Sequence, residues 1–350
     1  MGPSPTSVVE ATTAFIEAKA DNPVLLGTML EVNTRVREKF ANLIHADVGE
    51  IALLSATSEG ENIVTSALDL RKGDNVVIDN LHYDTTFVLY NHLAKTRGIE
   101  LRIVENVDGD APLEAFEQHV DERTRLISVS WVSHQNGFRH DLKALAELAH
   151  GHNGHLYVDA IQGVGALDLD VHDARVDFLA CGTYKWLFAG YGVAAFYVRA
   201  DLLDEISPDR IGWRNVEHSP APYEYELYRD ARKFEYATPA FAAVYQLDAA
   251  LDYVLRLGVS EIQRYTVPKA NKLNLSLREQ GFKVMTPASN ESPTLAFAHG
   301  ISQAAAKRAL DDAAIQYSFR DEGAQIRLGV GVFNNDDDIE RLLAVTRTWA

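Results

Sequence analysis

The chain has very little cysteine and no apolar run long enough to cross a membrane. Cys181 is the only cysteine among 350 residues, which excludes a disulfide framework and any zinc or iron–sulfur site built from several cysteines. No apolar stretch approaches the roughly 20 residues that a membrane-spanning helix needs. The first five residues have neither the basic nor the apolar region of a secretory signal. We therefore expect a cytoplasmic protein without a membrane partner.

The chain is also short of positive charge. It carries 33 Lys and Arg against 50 Asp and Glu, a formal net charge of −17. Binding along a nucleic-acid backbone needs clustered basic residues, so the composition argues against a nucleic-acid partner. A small anionic ligand in a local pocket is still compatible with it. Hydrophobic residues make up 47% of the chain, which is enough for a sizeable core and excludes wholesale disorder.

Short apolar runs alternate with amphipathic stretches through the first part of the chain. The runs predict strands over residues 51–55, 75–79, 99–104, 126–131, 155–159, 178–181 and 193–198. The amphipathic stretches predict helices over residues 59–70, 85–95, 112–120 and 141–150. Strands that alternate with helices pair in parallel. The pattern therefore predicts an α/β fold built on a doubly wound parallel sheet.

This alternation stops after Val198. Residues 199–237 are irregular, and two long helices are predicted over residues 239–257 and 259–281. The tail, from about Ser292, reads as strand–helix–strand–helix. We expect an N-terminal segment (1–20) that packs with the small domain, a large domain (21–237) and a small C-terminal α/β domain (238–350).

An acidic residue ends one of the predicted strands. Three apolar residues run directly into Asp159, which places it at the carboxyl end of a buried strand. Open α/β sheets have their ligand crevice at that end. By itself, Asp159 also fits a residue that caps the following turn.

A lysine between two aromatic residues follows the next predicted strand, in Tyr184-Lys185-Trp186. Burial disfavours a charged amine and lowers its pKa, which suits a lysine that forms a Schiff base. A snorkelling lysine with its amine in water fits the same residues.

Small hydroxyl residues, Thr57 and Ser58, join the first predicted strand to its helix. Free amides at a helix N-terminus form, with hydroxyls, a site for a phosphate, although helix capping explains one of the two residues equally well. A phosphate site, a strand-end acid and a lysine are the three groups that pyridoxal 5'-phosphate (PLP) requires. Together they predict PLP as the cofactor.

The same segments resemble the class V aminotransferase family of fold-type I PLP enzymes, which includes cysteine desulfurases, kynureninase and isopenicillin N epimerase-like proteins. The similar segments are residues 56–62, 158–163, 182–187, 234–239 and 326–329, in the family's order. The resemblance spans about residues 3–350. It implies a mostly parallel seven-stranded sheet with flanking helices, a smaller C-terminal α/β domain and a homodimer with shared active sites.

The resemblance implies roles for residues around the cofactor ring. Lys185 resembles the Schiff-base lysine, Asp159 the partner of the pyridine nitrogen, and Gln162 the residue beside the phenolic oxygen. Tyr83 stands where desulfurases stack a histidine on the ring, as in the epimerase-like branch. His82 is the alternative for that role.

Further roles concern the phosphate and the histidine at position 134. Thr57 and Ser58 resemble the phosphate loop, and Thr183 and Tyr184 stand where relatives often add phosphate contacts. Thr238 matches a residue that reaches the phosphate from the neighbouring subunit. His134 occupies a position that often carries an asparagine near the ring oxygen. It is expected beside the cofactor, with action on the substrate or a structural role as alternatives.

Two arginines complete the site implied by the resemblance. Arg327 matches the arginine that binds the substrate α-carboxylate, a bidentate task that suits a guanidinium group. Arg320 is a candidate second contact for an acidic substrate group. The family usually has a short strand and turn before the Gly-Pro found here at Gly2-Pro3, and that segment helps to shape the substrate pocket. The identity of the amino acid is therefore left open.

The reaction is left open as well. Desulfurases carry a nucleophilic cysteine on the loop before the carboxylate-binding arginine. Residues 317–323 contain none, and Cys181 reads as a packing residue, which argues against a persulfide-forming desulfurase. We expect a PLP-dependent enzyme acting at the Cα of an amino acid, foremost an aminotransferase. A carbon–sulfur β-elimination lyase, an epimerase and a non-catalytic binding protein are the alternatives. No metal is expected, since the histidines of residues 150–155 read as a connecting turn.

Overall fold

A seven-stranded sheet forms the centre of the larger part of the molecule. In the computed structural model, which describes residues 2–349, its strands run in the order β1-β7-β6-β5-β4-β2-β3. They are β1 (Ile51–Leu54), β2 (Asn75–Asp79), β3 (Glu100–Val104), β4 (Thr124–Ser130), β5 (His155–Asp159), β6 (Phe178–Gly182) and β7 (Ala194–Val198). The predicted α/β fold with a mostly parallel sheet is confirmed.

Strand direction decides which loops meet. Strands β2 to β6 pair in parallel, whereas β7 is antiparallel to both of its neighbours, β6 and β1. Because β7 alone is reversed, the other six strands end at the same side of the sheet. We call this side the carboxyl edge, and it is where open α/β sheets bind their ligands.

Helices cover both faces of this sheet. They are α1 (Thr6–Asp21), α2 (Leu26–Leu43), α3 (Thr57–Ala67), α4 (Asp84–Arg97), α5 (Leu113–Glu117), α6 (Leu142–Gly151) and α7 (Phe241–Leu257). Alternate residues of one strand enter separate cores: Val77 lies in one hydrophobic cluster, and Val76 and Ile78 lie in the other. A strand buried on both faces has no polar side, which explains why these strands appear as continuous apolar runs.

The segment between β7 and α7 contains little regular structure, as predicted. It holds a two-stranded ribbon, β8 (Val216–His218) and β9 (Glu226–Leu227). The buried amine of Lys233 donates to the carbonyl oxygens of Leu203 and Ile206, the latter at 2.6 Å. These bonds tie the beginning of the irregular segment to its end.

A second, smaller sheet lies near the C-terminus. Its strands β10 (Thr294–Ala298), β11 (Ser318–Arg320) and β12 (Gln325–Gly329) are antiparallel in the order β10-β12-β11. Helices α8 (Val259–Glu279), α9 (Gln303–Asp312) and α10 (Asp336–Thr346) pack on it. The predicted strand–helix–strand–helix order lacked β11, because three residues are too short to show an alternating pattern.

The core clusters bear on the predicted domain division. Helix α7 buries its apolar face in the first cluster of the large sheet, and α1 packs on α7 with the rings of Phe15 and Tyr245 at 4.4 Å. The cluster of the small sheet begins at Ala270, in α8. The division at residues 20 and 237 stays a prediction. Within residues 2–349 no helix is both long and apolar enough to cross a membrane.

Candidate active site

Five of the predicted site segments meet at the carboxyl edge. Asp159 ends β5, Lys185 follows β6, His134 follows β4, Tyr83 follows β2 and Thr57 follows β1. The strand register pairs Ser130 of β4 with Asp159, and Asp159 with Ala180 of β6. The parallel sheet therefore brings together residues that lie far apart in the chain.

Lys185 is half-buried at this edge, near the buried carboxylate of Asp159. Burial lowers the pKa of Lys185 to about 8, and the nearby Arg327 and Arg320 also lower it, whereas Asp159 opposes the shift. Burial raises the pKa of Asp159, against a hydrogen bond from the Ile161 amide at 3.0 Å and the charge of Lys185. The lowered pKa of Lys185 favours the Schiff-base interpretation over a snorkelling lysine, and that role stays a prediction.

The turn that carries Lys185 is held in place by Thr57 and Thr183. The Gly182 amide donates to Thr57 Oγ1 at 2.9 Å, which joins the end of β6 to the start of α3. A Cβ atom on Gly182 would lie 2.8 Å from Ile161 Cδ1 and 3.0 Å from Thr57 Oγ1, so a larger residue would require these side chains to move. The buried hydroxyl of Thr183 lies 3.1 Å from the Gly190 carbonyl and 3.0 Å from that of Val193. Thr183 thus braces the turn, and its phosphate contact stays a prediction.

The first turn of α3 offers the anion site. The helix begins at Thr57, two residues earlier than predicted, with Ala56 at the cap position and no side-chain cap. Thr57 and Ser58 therefore lie inside the first turn, whose backbone amides precede the helical hydrogen-bond ladder. Glu59 in the same turn is paired with Arg210 at 2.8 Å, which compensates its charge.

The residues after β2 separate the two candidates for ring stacking. His82 is completely buried, with its ring nitrogens 3.2 Å from Ser128 Oγ and 3.3 Å from Ser130 Oγ. Tyr83 is 42% exposed and meets the His134 ring edge-on, with centroids 5.1 Å apart. The geometry favours Tyr83 as the residue that faces a cofactor.

His134 is nearly buried and is held neutral. Burial lowers its pKa to about 3, and the positive charges of Arg320, Arg327 and Lys185 add to the shift. Its Nδ1 atom has no hydrogen-bond partner among the described residues. A neutral imidazole with a free nitrogen fits a residue that contacts a ligand better than one that donates a proton.

Aromatic side chains line the rest of the pocket. Trp186 Nε1 donates to Gln162 Oε1 at 3.3 Å, which orients the Gln162 amide. Tyr184 stacks on Tyr191 with ring centroids 4.4 Å apart. The sequence analysis missed Tyr191, which follows the lysine turn in a stretch without a recognisable motif.

The two arginines reach the site from the small sheet. Arg327 on β12 donates to the His134 carbonyl oxygen at 2.5 Å, and its Nη2 lies 3.5 Å from Ser318 Oγ. Burial lowers the pKa of Arg327 to about 10, and the charge of Arg320 lowers it further. Ser318 was also missed, because the short strand β11 that places it was not predicted.

Other predicted features lie apart from this group. Cys181 is buried in the first core cluster, and burial raises the pKa of its thiol. Thr238 is exposed on this single chain. His150 is paired with Asp177 at 2.8 Å, and His155 Nδ1 lies 3.9 Å from the same carboxylate.

One cluster has the spacing of metal ligands: Asp47, Glu50 and His172. Glu50 already accepts hydrogen bonds from the amides of Asp47 and Ala200, both at 2.8 Å, and contacts His172 Nε2 at 2.8 Å. Through these contacts the cluster joins the helical turn that contains Glu50 to the segment after β7.

Comparisons with known proteins show which family the chain belongs to. The family model described as aminotransferase class-V matches residues 3–342. The chain belongs to the class V aminotransferase family. An uncharacterized aminotransferase, YcbU, of Bacillus subtilis (strain 168) is 32% identical over 265 residues, 74% of this chain and 70% of that protein. A probable cysteine desulfurase of Methanothermobacter thermautotrophicus (strain Delta H) is 31% identical over 282 residues, 79% of this chain and 70% of that protein.

Among solved structures, a mutant of the lyase C-DES with glycine linked to its PLP cofactor superimposes with a TM-score of 0.90. It is 22% identical to this chain and the alignment covers 99% of this chain and 94% of that one. That identity shows a shared fold. PLP is the cofactor that membership of the class V family indicates for this enzyme.

The residues at the carboxyl edge fit that cofactor. The half-buried amine of Lys185 with its lowered pKa, the buried Asp159 carboxylate and the N-terminus of α3 with its two hydroxyl residues all lie at this edge. The backbone at Gly182 approaches Thr57 so closely that a Cβ would fill the space between the lysine turn and α3. This donor set supplies the groups that an aldehyde, a pyridine nitrogen and a phosphate require.

Proposed function

We propose that this enzyme is an aminotransferase, which moves an amino group from an amino acid to a 2-oxo acid. One observation carries the proposal: Lys185 has a pKa of about 8, whereas the neighbouring His134 has a pKa of about 3. Of these two groups, Lys185 is the one whose pKa lies near neutral pH. Transamination needs one such group, because the same amine removes a proton at one carbon and returns it at another.

The cofactor would be held by the groups at the carboxyl edge. Lys185 would bind its aldehyde and Asp159 would pair with its ring nitrogen. Gln162, His134 and Tyr83 would contact the ring. The predicted phosphate contacts are Thr57, Ser58, Thr183, Tyr184 and, from a second subunit, Thr238.

When bound, PLP supplies an electrophilic aldehyde and a protonated ring that takes up electrons released at Cα. The protein contributes the placement of charges and the movement of the proton. Asp159, buried and negative, keeps the ring nitrogen protonated. Lys185, displaced by the amino group of the substrate, takes the Cα proton because its lowered pKa leaves part of the amine free. Arg327 binds the α-carboxylate and so orients the Cα–H bond.

The amino group and the oxygen are balanced over two half-reactions. In the first half-reaction an amino acid would leave as its 2-oxo acid, with its carbonyl oxygen supplied by water, and bound PLP would supply the acceptor for the amino group. A second 2-oxo acid then takes the amino group and its oxygen leaves as water. No external oxidant or reductant is needed.

A β-elimination lyase is the second candidate, since relatives near 30% identity are named cysteine desulfurases and lyase C-DES shares the fold. Elimination benefits from an acid or nucleophile beside the leaving group. The described residues offer no thiol there, because Cys181 is buried in the core, and His134 is neutral. Because the described residues offer neither a thiol nor a charged acid beside the leaving group, transamination is favoured. The absence of cysteine from residues 317–323 argues equally against persulfide formation.

We also propose a cytoplasmic homodimer. Thr238 is exposed on this single chain, which suits a residue that serves the site of a second copy. Equilibrium sedimentation tests this assembly. A monomer with full activity would contradict it.

The experiment that tests the reaction follows oxo acid formed from single amino acids by the PLP-loaded enzyme. An aminotransferase forms oxo acid in an amount equal to the enzyme, stops, and resumes when a 2-oxo acid is added. Continuous release of ammonia and pyruvate from a β-substituted amino acid without added oxo acid would establish the lyase instead. The variant Lys185→Ala should abolish either reaction, whereas the exposed Lys143→Ala should leave it unchanged.

A further inference from the structure

The small sheet places two arginines side by side. In the antiparallel pair of β11 and β12, Ser318 lies opposite Arg327 and Arg320 lies opposite Gln325. Residues two apart in a strand face the same side, so Ser318 and Arg320 share a face. Arg327 lies directly opposite Ser318 and therefore belongs to the same face of the sheet. Its Nη2 atom lies 3.5 Å from Ser318 Oγ. Arg320 and Arg327 are therefore diagonal neighbours.

Neither guanidinium group has an acidic partner. Among residues 2–349, no Asp or Glu oxygen lies within salt-bridge distance of Arg320 or Arg327. One guanidinium nitrogen of Arg327 donates a hydrogen bond to the His134 carbonyl oxygen. The Nε atom of Arg320 is buried and has no hydrogen-bond partner. Most other partly buried arginines of this acidic chain are paired, as Arg37 is with Glu235 at 3.1 Å. Two adjacent, partly buried cations without a counterion are unfavourable unless a ligand supplies the negative charge.

Acids next to Arg320 in the sequence are turned away from it. Asp321 and Glu322 follow directly, yet both are exposed. Their φ angles of 50° and 49° lie in the left-handed region, which side chains other than glycine rarely adopt. Asp321 accepts a hydrogen bond from Gln325 at 3.2 Å, and the turn is fixed by a 2.7 Å bond from His299 to the Gly323 carbonyl oxygen. This backbone keeps two carboxylates out of the arginine pair.

The groups around the pair are themselves positive or neutral. Arg320 and Arg327 both lower the pKa values of Lys185 and His134, which shows that all four groups face one region. Asp159 is a negative group near Lys185, but the proposed function assigns it to the ring nitrogen of PLP, so it does not serve as the counterion of either arginine. One α-carboxylate neutralises only one of the two guanidinium groups.

We infer that Arg320 and Arg327 together bind a dicarboxylic amino acid, with the α-carboxylate on Arg327 and the side-chain carboxylate on Arg320. This inference rests on the proposed function and adds its substrate class. The 2-oxo acid that such a substrate leaves also carries two carboxylates and binds in the same way. Each guanidinium–carboxylate pair forms charge-assisted bonds that an uncharged amide cannot replace.

The test compares each acid with its amide, aspartate with asparagine and glutamate with glutamine, on the PLP-loaded enzyme. We expect kcat/KM for at least one acid to exceed that of its amide by roughly 10- to 100-fold. The variant Arg320→Gln should remove this preference by slowing the acid and sparing the amide. Arg308→Gln, which changes an exposed arginine of α9, should retain it. Equal values for acid and amide in the wild type would overturn the inference, as would an Arg320→Gln variant that slows both alike.

A binding measurement on the cofactor-free protein separates this inference from the proposed reaction. Calorimetry with glutarate and butyrate compares two carboxylates with one on a similar carbon chain. We expect glutarate to bind roughly tenfold tighter or better, and this margin to vanish in Arg320→Gln. If glutarate binds so but no amino acid yields an oxo acid, the proposed reaction fails and the dicarboxylate site stands. If oxo acids form equally well from uncharged amino acids and glutarate has no advantage, the reaction stands and the site fails.

Discussion

Arg327 donates a hydrogen bond to the backbone carbonyl oxygen of His134 at 2.5 Å. This bond joins the small sheet to the loop after β4. Nearby, Thr286 Oγ1 donates to the Asn136 carbonyl oxygen at 2.6 Å, and Ser292 Oγ donates to that of Gly137 at 2.6 Å. The position of Arg327 over the pocket thus depends on contacts between the two sheets as well as on its own strand.

Replacing Arg327 with lysine should weaken substrate binding more than turnover. Lysine keeps the charge but loses the planar fork that binds a carboxylate through two nitrogens and the His134 carbonyl through a third. We expect KM to rise roughly 10- to 100-fold with a smaller fall in kcat. Steady-state kinetics with saturating oxo acid measure both constants. An unchanged KM would show that the α-carboxylate binds elsewhere.

The capture of PLP by the cofactor-free protein should depend on pH through Lys185. With a pKa of about 8, roughly one amine in ten is unprotonated at pH 7, far more than for an ordinary lysine. The rate of cofactor capture, followed by its absorbance near the edge of the visible, should rise steeply from pH 6 to 8 and level off above. Because the Asp159 charge raises the pKa of Lys185, Asp159→Asn should move the midpoint to lower pH. A midpoint near 10 in the wild type would contradict the buried position of the amine.

His134 should not contribute to the pH dependence of activity near neutrality. Burial and three positive neighbours hold its pKa at about 3, so it stays neutral at every pH from 5 to 9. The variant His134→Asn should therefore keep the shape of the pH–rate profile while its rate changes. A limb between pH 6 and 7 that disappears in the variant would show that the imidazole titrates during turnover.

Glu61 should make the protein less stable as pH rises. Its carboxyl group is buried between Ser128 Oγ at 2.8 Å and Thr86 Oγ1 at 2.9 Å, and burial raises its pKa to about 7. The folded chain thus holds a proton that the unfolded chain releases above its ordinary pKa of 4.5. This contribution is present below pH 4.5 and is lost as pH rises through 7, a change of roughly 3 kcal/mol at most.

Denaturant unfolding at several pH values, at one protein concentration, measures this slope. The variant Glu61→Gln cannot ionise, so its free energy of unfolding should fall less than that of the wild type between pH 5 and 7.5. Parallel curves for the two proteins would show that Glu61 does not take up a proton in this range.

Replacing Gly60 with alanine tests how closely α3 packs on the sheet, and Gly27 in α2 provides the matched control. A Cβ on Gly60 would lie 2.7 Å from Ala180 Cβ and 3.1 Å from a ring carbon of Phe196, so Gly60→Ala pushes α3 away from the sheet. We expect a loss of roughly 1–3 kcal/mol and weaker PLP binding, because α3 carries the phosphate site. At Gly27, in α2, a Cβ meets nothing within 4 Å, so Gly27→Ala should be neutral or gain a few tenths of a kcal/mol. Thermal unfolding of the two variants decides whether sterics or helix propensity dominates at Gly60.

Much of the fold could be predicted because its strands are buried on both faces. The strands β2 and β5 were predicted with their observed ends, and the other five within two residues. Short elements were harder: β11 has three residues, and the start of α3 was placed at Glu59 instead of Thr57. Hydroxyl residues fit a cap and a first turn equally well, so composition could not separate the two positions.

The sequence by itself determined the α/β class, the family and the types of residue that a PLP enzyme requires. Tertiary structure decided which of them share a pocket. The fold buries His82 completely and leaves Tyr83 42% exposed. Sequence spacing cannot reveal such a difference between adjacent residues. The fold also puts Arg320 beside Arg327 while turning Asp321 and Glu322 outward. Charge counts describe the whole chain, which is strongly acidic, whereas binding depends on which charges the fold leaves unpaired in one place.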